Sequence, residues 1–484
     1  MKPHSLFRKT KIVCTIGPGT NSPEQIRELL KAGMDVARLN FSHGDHESHR
    51  RTIAVLRQVS SDLGREIGIL QDLGGPKIRL GELNVEERRL QAGERVVLAS
   101  GEASETDILP VDYPYLAEDV EVGNRILLAD GTVELSVTDK QKNLIICSVV
   151  AGGALRSHKG VNLPSSKLRI PAFTEKDRKD LAVGLEGHVD FVALSFIRHE
   201  RDLEPVLEIL DKMKRRPMLI AKIEKPQAVD RFEKILAAVD GIMVARGDLG
   251  VEMPFEDVPI IQKKIIQLTR QAGKPVITAT QMLGSMVASP RPTRAEATDV
   301  TNAILDGTDA LMLSDETAMG AFPTKAVATL DRIARASEPY LDEERMLNEL
   351  TSELLPTTAA AISRAACRLA RDLGAAAIVA STSSGGTARL VARFRPTCPV
   401  IALTSQLQTQ RQLTLSWGVI PDLMDSYTHT DQMFNAARAW VREKGIARRG
   451  DRLVITAGVP IGVKGTTNLL KVMEISDEQC REQC

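Results

Sequence analysis

Glu224, Asp248 and Lys222 have the side-chain types and the spacing for metal-assisted chemistry on an anion. If the two acids leave neighbouring strands, they stand about 5 Å apart in the pairing direction. That suits a hard divalent cation, because Mg2+ is commonly held by one or two carboxylates, with water and substrate oxygens completing its shell. Each acid has a plainer alternative as a helix cap or as the partner of a nearby base. Lys222 lies inside the apolar run LIAKI, where an ammonium is costly to bury unless it meets an anion; a stem that snorkels out at a strand end is the other option. Arg38, Lys77, Arg79 and Arg198 fall near the same strand ends and can neutralise phosphate oxygens. The set points to a divalent metal and a phosphorylated anion. His43 and His158 have no ligand spacing and read as ordinary polar histidines. Gly247, Gly250 and Gly307 fit either turns or a close backbone approach to a ligand.

These residues need a scaffold, and the chain supplies one by repetition. From residue 11 a short apolar run, a polar exit and a helix-period segment recur, as in βα units whose strands are buried on both faces. Strands are expected at 11–17, 35–40, 67–72, 191–196, 218–223, 241–246, 275–280 and 310–315. Ser22-Pro23 and the capping box Thr293-x-x-Glu296 mark two helix starts. A run of eight such units is the signature of a (β/α)8 barrel, although pattern alone also allows an open doubly wound sheet. In a barrel the catalytic groups stand at the C-terminal ends of the strands. The exits here carry Arg38 and Asn40, Asp72, Ser195, Lys222 and Glu224, Arg246 and Asp248, Thr278 and Thr280, and Ser314 and Glu316. Residues two apart on a strand share a face, so each pair is expected to look into the barrel mouth.

The repeat is interrupted once. Residues 74–170 read as short β segments with turn signals, including the Asp130-Gly131 hairpin pair, and suggest a small β-barrel lid inserted in a barrel loop. Barrel segments 1–73 and 171–340 flank it. The acidic stretch 338–353 reads as a linker, and 341–484 as a third, α/β domain with helices at 358–373, 387–394 and 430–443 and strands at 376–382, 399–404 and 452–457. A chain of 484 residues has room for such a division. Lys+Arg and Asp+Glu both number 63, so the overall field recruits neither nucleic acid nor an anionic membrane. No apolar run approaches the roughly 20 residues that span a bilayer. Six scattered cysteines and the lack of a leader pattern suggest a reduced, cytoplasmic protein.

Nine ordered motifs resemble those of pyruvate kinases: KTKIVCTIGP (9–18), GMDVARLNFSHG (33–44), DLGGPKIR (72–79), KGVNLP (159–164), AKIEKP (221–226), MVARGDLGVE (243–252), ATQMLGSM (279–286), PRPTRAE (290–296) and LSDETAMG (313–320). The resemblance runs from residue 9 to the end. It implies a barrel, a lid and a C-terminal effector domain assembled as a homotetramer, and transfer of the phosphoryl group of phosphoenolpyruvate to ADP. It implies that Glu224 and Asp248 hold Mg2+ or Mn2+, and that Lys222 neutralises charge on the moving phosphoryl and enolate oxygens. Thr280 would support the proton relay, with Ser314 and Glu316 beside it. The Gly247 and Asp248 amides would meet the substrate carboxylate, Arg38 and Arg79 the phosphates, and Asn40, His43 and Lys159 the nucleotide side.

One departure concerns the monovalent cation. Family members that need potassium hold it among groups matching Asn40, Ser42, Asp72 and the carbonyl of Leu73, with an acidic residue where this chain has Lys77. A lysine there is expected to stand in for potassium. In the third domain the loop Ser381, Thr382, Ser383, Ser384, Gly385, Gly386, Thr387 lies between a strand and a helix. It reads either as an ordinary capped Ser/Gly loop or as a phosphate cradle, and its family position implies a phosphorylated allosteric effector. Two other functions stay open from the residues: another metal-dependent phosphoenolpyruvate or pyruvate enzyme (aldolase or mutase), or a catalytically silent metabolite sensor.

Overall fold

The computed structural model describes residues 7–101, 108–164, 166, 168–349, 357–460 and 466–476. Eight parallel strands close a barrel: Lys11–Thr15, Val36–Asn40, Gly68–Asp72, Phe191–Leu194, Met218–Ile223, Gly241–Ala245, Val276–Ala279 and Ala310–Leu313. The open doubly wound alternative is therefore excluded. Their β-branched and aliphatic residues are buried on both faces. Val13, Leu70, Ile220, Met243, Ile277 and Met312 fill the interior, and a larger apolar layer joins the strands to the helices. Ser22 caps the first helix by accepting from the Gln25 amide at 3.2 Å, and Thr293 and Glu296 form the expected capping box.

Most strands stop one or two residues short of the expected ends, for a local reason. At two exits the backbone turns left-handed, with φ of +57° at Phe196 and +69° at Thr280. A bulky or β-branched residue in that region is strained, and such strain collects at functional sites.

The insertion forms a six-stranded sheet in the order Val161–Asn162, Arg125–Leu128, Val133–Gln141, Leu144–Ala151, Arg95–Ser100, Ile108–Val111, with a two-stranded ribbon of Arg88–Arg89 and Ala154–Leu155. It has its own apolar core, including Leu98, Leu109, Ile126 and Leu135. Asp130 and Gly131 both take positive φ at the hairpin turn.

The C-terminal sheet runs Val419–Leu423, Val400–Thr404, Ala377–Ser381, Arg452–Gly458, Thr467–Glu474, with only the last strand antiparallel. Its two outer strands and the helix Leu407–Leu413 are absent from the sequence expectation. The outer strands occupy edges, where Pro421 and exposed charges are tolerated and the apolar signal fades. The stretch read as a linker is also ordered over its described part. It contains the helix Glu343–Asn348, and Glu338 accepts from the Lys9 and Thr10 amides at 2.9 and 2.7 Å. Residues 350–353 lie outside the described residues, as do Cys480 and Cys484. Cys14, Cys147, Cys367 and Cys398 carry free thiols. No helix among the described residues is long and apolar enough to cross a membrane.

Candidate active site

The mouth of the barrel holds a network of buried charges. Lys222 Nζ donates to Ser195 Oγ at 2.7 Å and lies 2.8 Å from Glu224 Oε1 and 3.3 Å from Asp72 Oδ1. Asp72 also accepts from Arg38 Nε at 2.8 Å, and Arg38 Nη1 donates to Thr15 Oγ1 at 2.9 Å. Burial alone would lower the Lys222 ammonium, but Asp72, Glu224 and Asp248 outweigh it and hold Lys222 above the usual lysine range. Burial would raise Asp72, yet Lys222 and Arg38 keep its carboxyl below the ordinary range. Lys222 therefore stays charged at neutral pH. The period-two argument succeeds here because Arg38, Asp72, Ser195 and Lys222 continue the inward-facing rows of Val36, Leu70, Ala193 and Ile220.

Glu224 is held differently. Its Oε2 accepts from the Phe196 amide at 2.7 Å, an amide aimed by the left-handed turn at that residue. Its buried Oε1 is ion-paired with Lys222 and has no hydrogen-bond partner among the described residues. Burial pushes the Glu224 carboxyl up, Lys222 pulls it back, and the nearby Asp248 adds to the rise. Asp248 lines the same cavity of about 70 Å3 with Asn40, Ser42, Lys77 and Thr280. A desolvated carboxylate oxygen met only by the Lys222 ammonium, beside a second acid, fits a hard divalent cation. Among the described residues no three His, Cys, Asp or Glu gather into a metal cage, so water and substrate oxygens must fill most of the shell.

A second cleft of about 280 Å3 opens outward between lid and barrel, lined by Arg79, Asp130, His158, Lys159, Phe196 and Arg198 among others. Lys77, Phe196 and Asp248 border both spaces, so the inner cavity communicates with the cleft. Asn162 of the lid donates to Glu252 Oε1 at 2.8 Å, and the same oxygen takes Lys225 Nζ at 2.6 Å.

A small inner cavity beside a lid-covered cleft suits two substrates joined at a metal, and the comparisons specify which. Residues 7–327 match the model of the pyruvate kinase barrel domain, and residues 360–473 that of the pyruvate kinase alpha/beta domain. The chain belongs to the pyruvate kinase family. It is 47% identical over 474 residues to a pyruvate kinase of Geobacillus stearothermophilus, covering 97% of this chain and 81% of the relative. It is 48% identical over 478 residues to pyruvate kinase 2 of a Synechocystis species, covering 98% and 80%. The fold matches the crystal structure of a pyruvate kinase from Cryptosporidium parvum with a TM-score of 0.91 at 36% identity, covering 97% and 96%. The chain is thus an enzyme that transfers the phosphoryl group of phosphoenolpyruvate to ADP, giving ATP and pyruvate, with a divalent metal.

Several pyruvate kinase residues expected at the mouth stand elsewhere. Arg246 opens the helix Arg246–Glu252 instead of ending a strand, so period two does not carry over to it. Its guanidinium leaves the cavity for Asp299 and the Thr280 carbonyl, at 2.7 and 2.8 Å. Thr278 faces the helical layer and meets Thr308 at 2.9 Å; Thr280 reaches the cavity only through its left-handed turn. The Gly247 amide, expected on the substrate carboxylate, donates to Thr280 Oγ1 at 2.7 Å. Glu316 accepts from the Ser314 and Leu283 amides at 2.7 and 3.1 Å and braces two exit loops, while buried Ser314 Oγ has no partner among the described residues. Arg38 and Arg79 do not meet: Arg38 lies in the inner cavity, and Arg79 lines the cleft and donates to the His158 carbonyl at 3.0 Å. Burial lowers the His43 imidazole, with Lys77, Arg79 and Arg38 adding to the effect, which puts it on the cationic rim.

Sequence reasoning missed Thr15, which steadies Arg38, and the Lys225, Glu252 and Asn162 connection to the lid. Asp72 also does more than its spacing indicated, because it is the counter-ion of both buried cations.

Proposed function

We propose that Lys222 is the charge-stabilising group of the transfer and that Glu224 and Asp248 hold the metal, Mg2+ or Mn2+. The observation that carries this is the buried Lys222 ammonium, 2.8 Å from a Glu224 oxygen that lacks a hydrogen-bond partner. Glu224 and Asp248 would hold the metal, which would supply positive charge for the phosphoryl and enolate oxygens. Phosphoryl transfer depends mainly on positioning and charge stabilisation, and this is what the residues offer. Arg38 and Lys222 present fixed positive charge and Asp72 fixes their directions. Thr280, on a strained turn, is placed to relay a proton toward the enolate carbon. Asn40, His43, Arg79 and Lys159 take the nucleotide side, and the lid excludes water from the cleft. The experiment separates two readouts, ATP formation and solvent deuterium exchange into pyruvate. Lys222→Met should cut turnover by several orders of magnitude, and Thr280→Ala should slow exchange more than transfer. Near-normal turnover in the first, or unchanged exchange in the second, overturns the respective role.

A second proposal concerns potassium. Lys77 borders the inner cavity, and its ammonium has no ion pair among the described residues. Burial lowers its pKa and Lys222 adds to that, while Asp248, Glu224 and Asp72 pull it up. At about 4 Å and an effective dielectric near 20, a lysine and a cation repel by roughly 4 kcal/mol, so Lys77 replaces potassium and does not accompany it. Activity in tetramethylammonium buffer should be flat with added potassium, and Lys77→Glu should acquire a potassium requirement. Strong activation of the parent enzyme by potassium would sink the idea.

The loop 381–387 is proposed as the effector site. A cavity of about 450 Å3 is lined by Ser381, Thr382, Ser383, Ser384, Gly386 and Thr387, while the Gly385 amide is occupied by Thr382 Oγ1 at 2.9 Å. Replacing Thr382 and Ser384 together with Ala should abolish activation by phosphometabolites and leave saturated activity nearly unchanged; retained activation refutes it. Phe255 and Ile260, 80% and 68% exposed, support assembly as a homotetramer, which sedimentation as a monomer would contradict. Buried thiols at Cys14, Cys147 and Cys367 support a reducing, cytoplasmic setting, and cell fractionation tests it.

A further inference from the structure

Beneath the barrel, where its N-terminal end meets the C-terminal domain, four arginines converge on a small void lined by Arg270, Asp309, Arg389, Arg393, Arg395 and Ser416 among others. Their charge is not balanced. Arg395 meets Asp309 at 3.0 Å and Arg270 meets Glu349, but Arg393 and Arg389 have no carboxylate within ion-pair distance among the described residues. Lys274 also borders the void, yet its ammonium is spent on the Leu236 and Val239 carbonyls, both at 2.6 Å.

Hydrogen bonding is incomplete at the same place. Arg393 Nη1 donates to the Gln271 carbonyl at 3.0 Å, while its Nε and Nη2 are buried without partners. Arg389 Nη1, Arg270 Nε, Arg395 Nε and Ser416 Oγ are likewise buried without hydrogen-bond partners among the described residues. Arg270, Arg393 and Arg395 are 1%, 5% and 2% exposed; Arg389 is half-buried, but its Nη1 is sealed. Burial presses the Arg270 and Arg393 guanidiniums down to about 10, which still leaves them charged at neutral pH. A guanidinium cannot escape by losing its proton, and a buried charge without a partner is among the costliest arrangements in a protein. Water could accept the spare N–H groups but would not neutralise the excess charge.

We propose that this interface binds one small monovalent inorganic anion, of halide size, held by Arg393, Arg389 and Ser416. Size narrows the class: the void is about 10 Å3, at the lower limit for a single water-sized particle, so a halide enters once the half-buried Arg389 side chain yields slightly, whereas a tetrahedral oxyanion would need far more room. The site would also join two parts of the enzyme. Arg389 Nη2 donates to the Ser384 carbonyl at 2.9 Å, in the loop 381–387, and Arg395 Nη2 to the Gly307 carbonyl at 2.6 Å, just before the last barrel strand.

The test is chloride titration against gluconate at constant ionic strength, read by the unfolding midpoint and by excess 35Cl NMR linewidth. The parent midpoint should rise saturably, by about 2 °C, with matching line broadening. Arg393→Met keeps the apolar stem and removes both unpartnered donors; it should lose the midpoint rise and the broadening, with phosphoryl transfer unchanged. If Arg393→Met does not fold, Arg389→Met, at the half-buried side, should weaken the response, and the parent titration stands on its own. A parent indifferent to chloride, or an undiminished response in the variants, overturns the site. A response to sulfate with none to chloride overturns the size argument and the proposal with it.

Discussion

The two ends of the barrel both bury cations, and they do so in opposite ways. At the C-terminal mouth Arg38 and Lys222 are matched by Asp72 and Glu224, and nearly every donor has an acceptor. At the N-terminal end Arg389 and Arg393 have no acid within ion-pair distance among the described residues, and several of their N–H groups have no acceptor there. A balanced network can hold its charges still before substrate arrives, so little reorganisation is needed when charge develops in the reaction. An unbalanced one is incomplete without a ligand. The comparison separates a site built to stabilise a transition state from one built to be filled.

The largest expected effect comes from breaking the balance at the mouth. Asp72→Asn keeps the shape but removes the charge that both buried cations share. Turnover should fall on the order of a hundredfold, as when one preorganised electrostatic group is lost, and unpairing the buried cations should cost on the order of 3–5 kcal/mol of stability. The sign with pH is fixed. A carboxyl held below its ordinary value in the folded protein contributes stability above about pH 4 and loses it as pH falls. Acid unfolding curves of parent and variant should therefore converge below about pH 4. Curves that stay parallel would mean Asp72 is not the shared counter-ion.

How much of this contrast could be read in the chain depended on which physical pattern carried it. Short apolar runs buried on both faces gave the eight barrel strands, and period-two spacing brought Arg38, Asp72, Ser195 and Lys222 to the mouth, because the alternation of side chains persists as far as those residues. It failed for Arg246, already in a helix, and for Thr278, whose neighbour Thr280 is turned inward by a left-handed backbone that no periodicity encodes. The arginines at the other end were illegible. Nothing in the spacing of Arg393 and Arg395, at and just beyond the end of the expected helix 387–394, singles them out, and only the packing of one domain under another buries them. Trp417, Leu415 and the barrel residue Asp309 meet there from positions about a hundred residues apart.

A middle-sized effect sharpens the contrast at the same N-terminal end. Lys11 is buried, donates to the Val419 carbonyl at 2.8 Å, and has its ammonium lowered to about 8, chiefly by burial. The unfolded chain keeps this proton up to the ordinary lysine value of about 10.4. Between about pH 8 and 10.4 the unfolded state therefore binds more protons, and stability should rise with pH. Buried thiols change stability in the opposite direction when alkaline, so the readout is the difference between the parent and Lys11→Met. The parent should gain on the variant across that window. A constant difference would show that Lys11 stays charged in the fold and that this end tolerates yet another buried cation.

The smallest effect belongs to the lid and tests whether balance extends beyond the chemical centre. Glu252 Oε1 accepts from Lys225 at 2.6 Å and from Asn162 of the lid at 2.8 Å, and Lys225 also lies over the Phe196 ring, 5.6 Å from its centroid. At this contact the lid meets an acid that is already paired, so Asn162 adds one hydrogen bond and no charge. Such a bond contributes about 1 kcal/mol, somewhat more when one partner is ionised. Asn162→Ala should therefore raise the KM for ADP by roughly fivefold to tenfold, with the turnover number changed little. Asn162→Asp is the informative companion. It places a second carboxylate against Glu252 with only Lys225 to share, and like charges at that distance repel. If the balanced-mouth reading is right, Asp is worse than Ala for KM, and added salt narrows the gap. An Asp variant equal to or better than Ala would show that the lid meets uncompensated positive charge, and the contrast between the two ends of the barrel would not reach the lid.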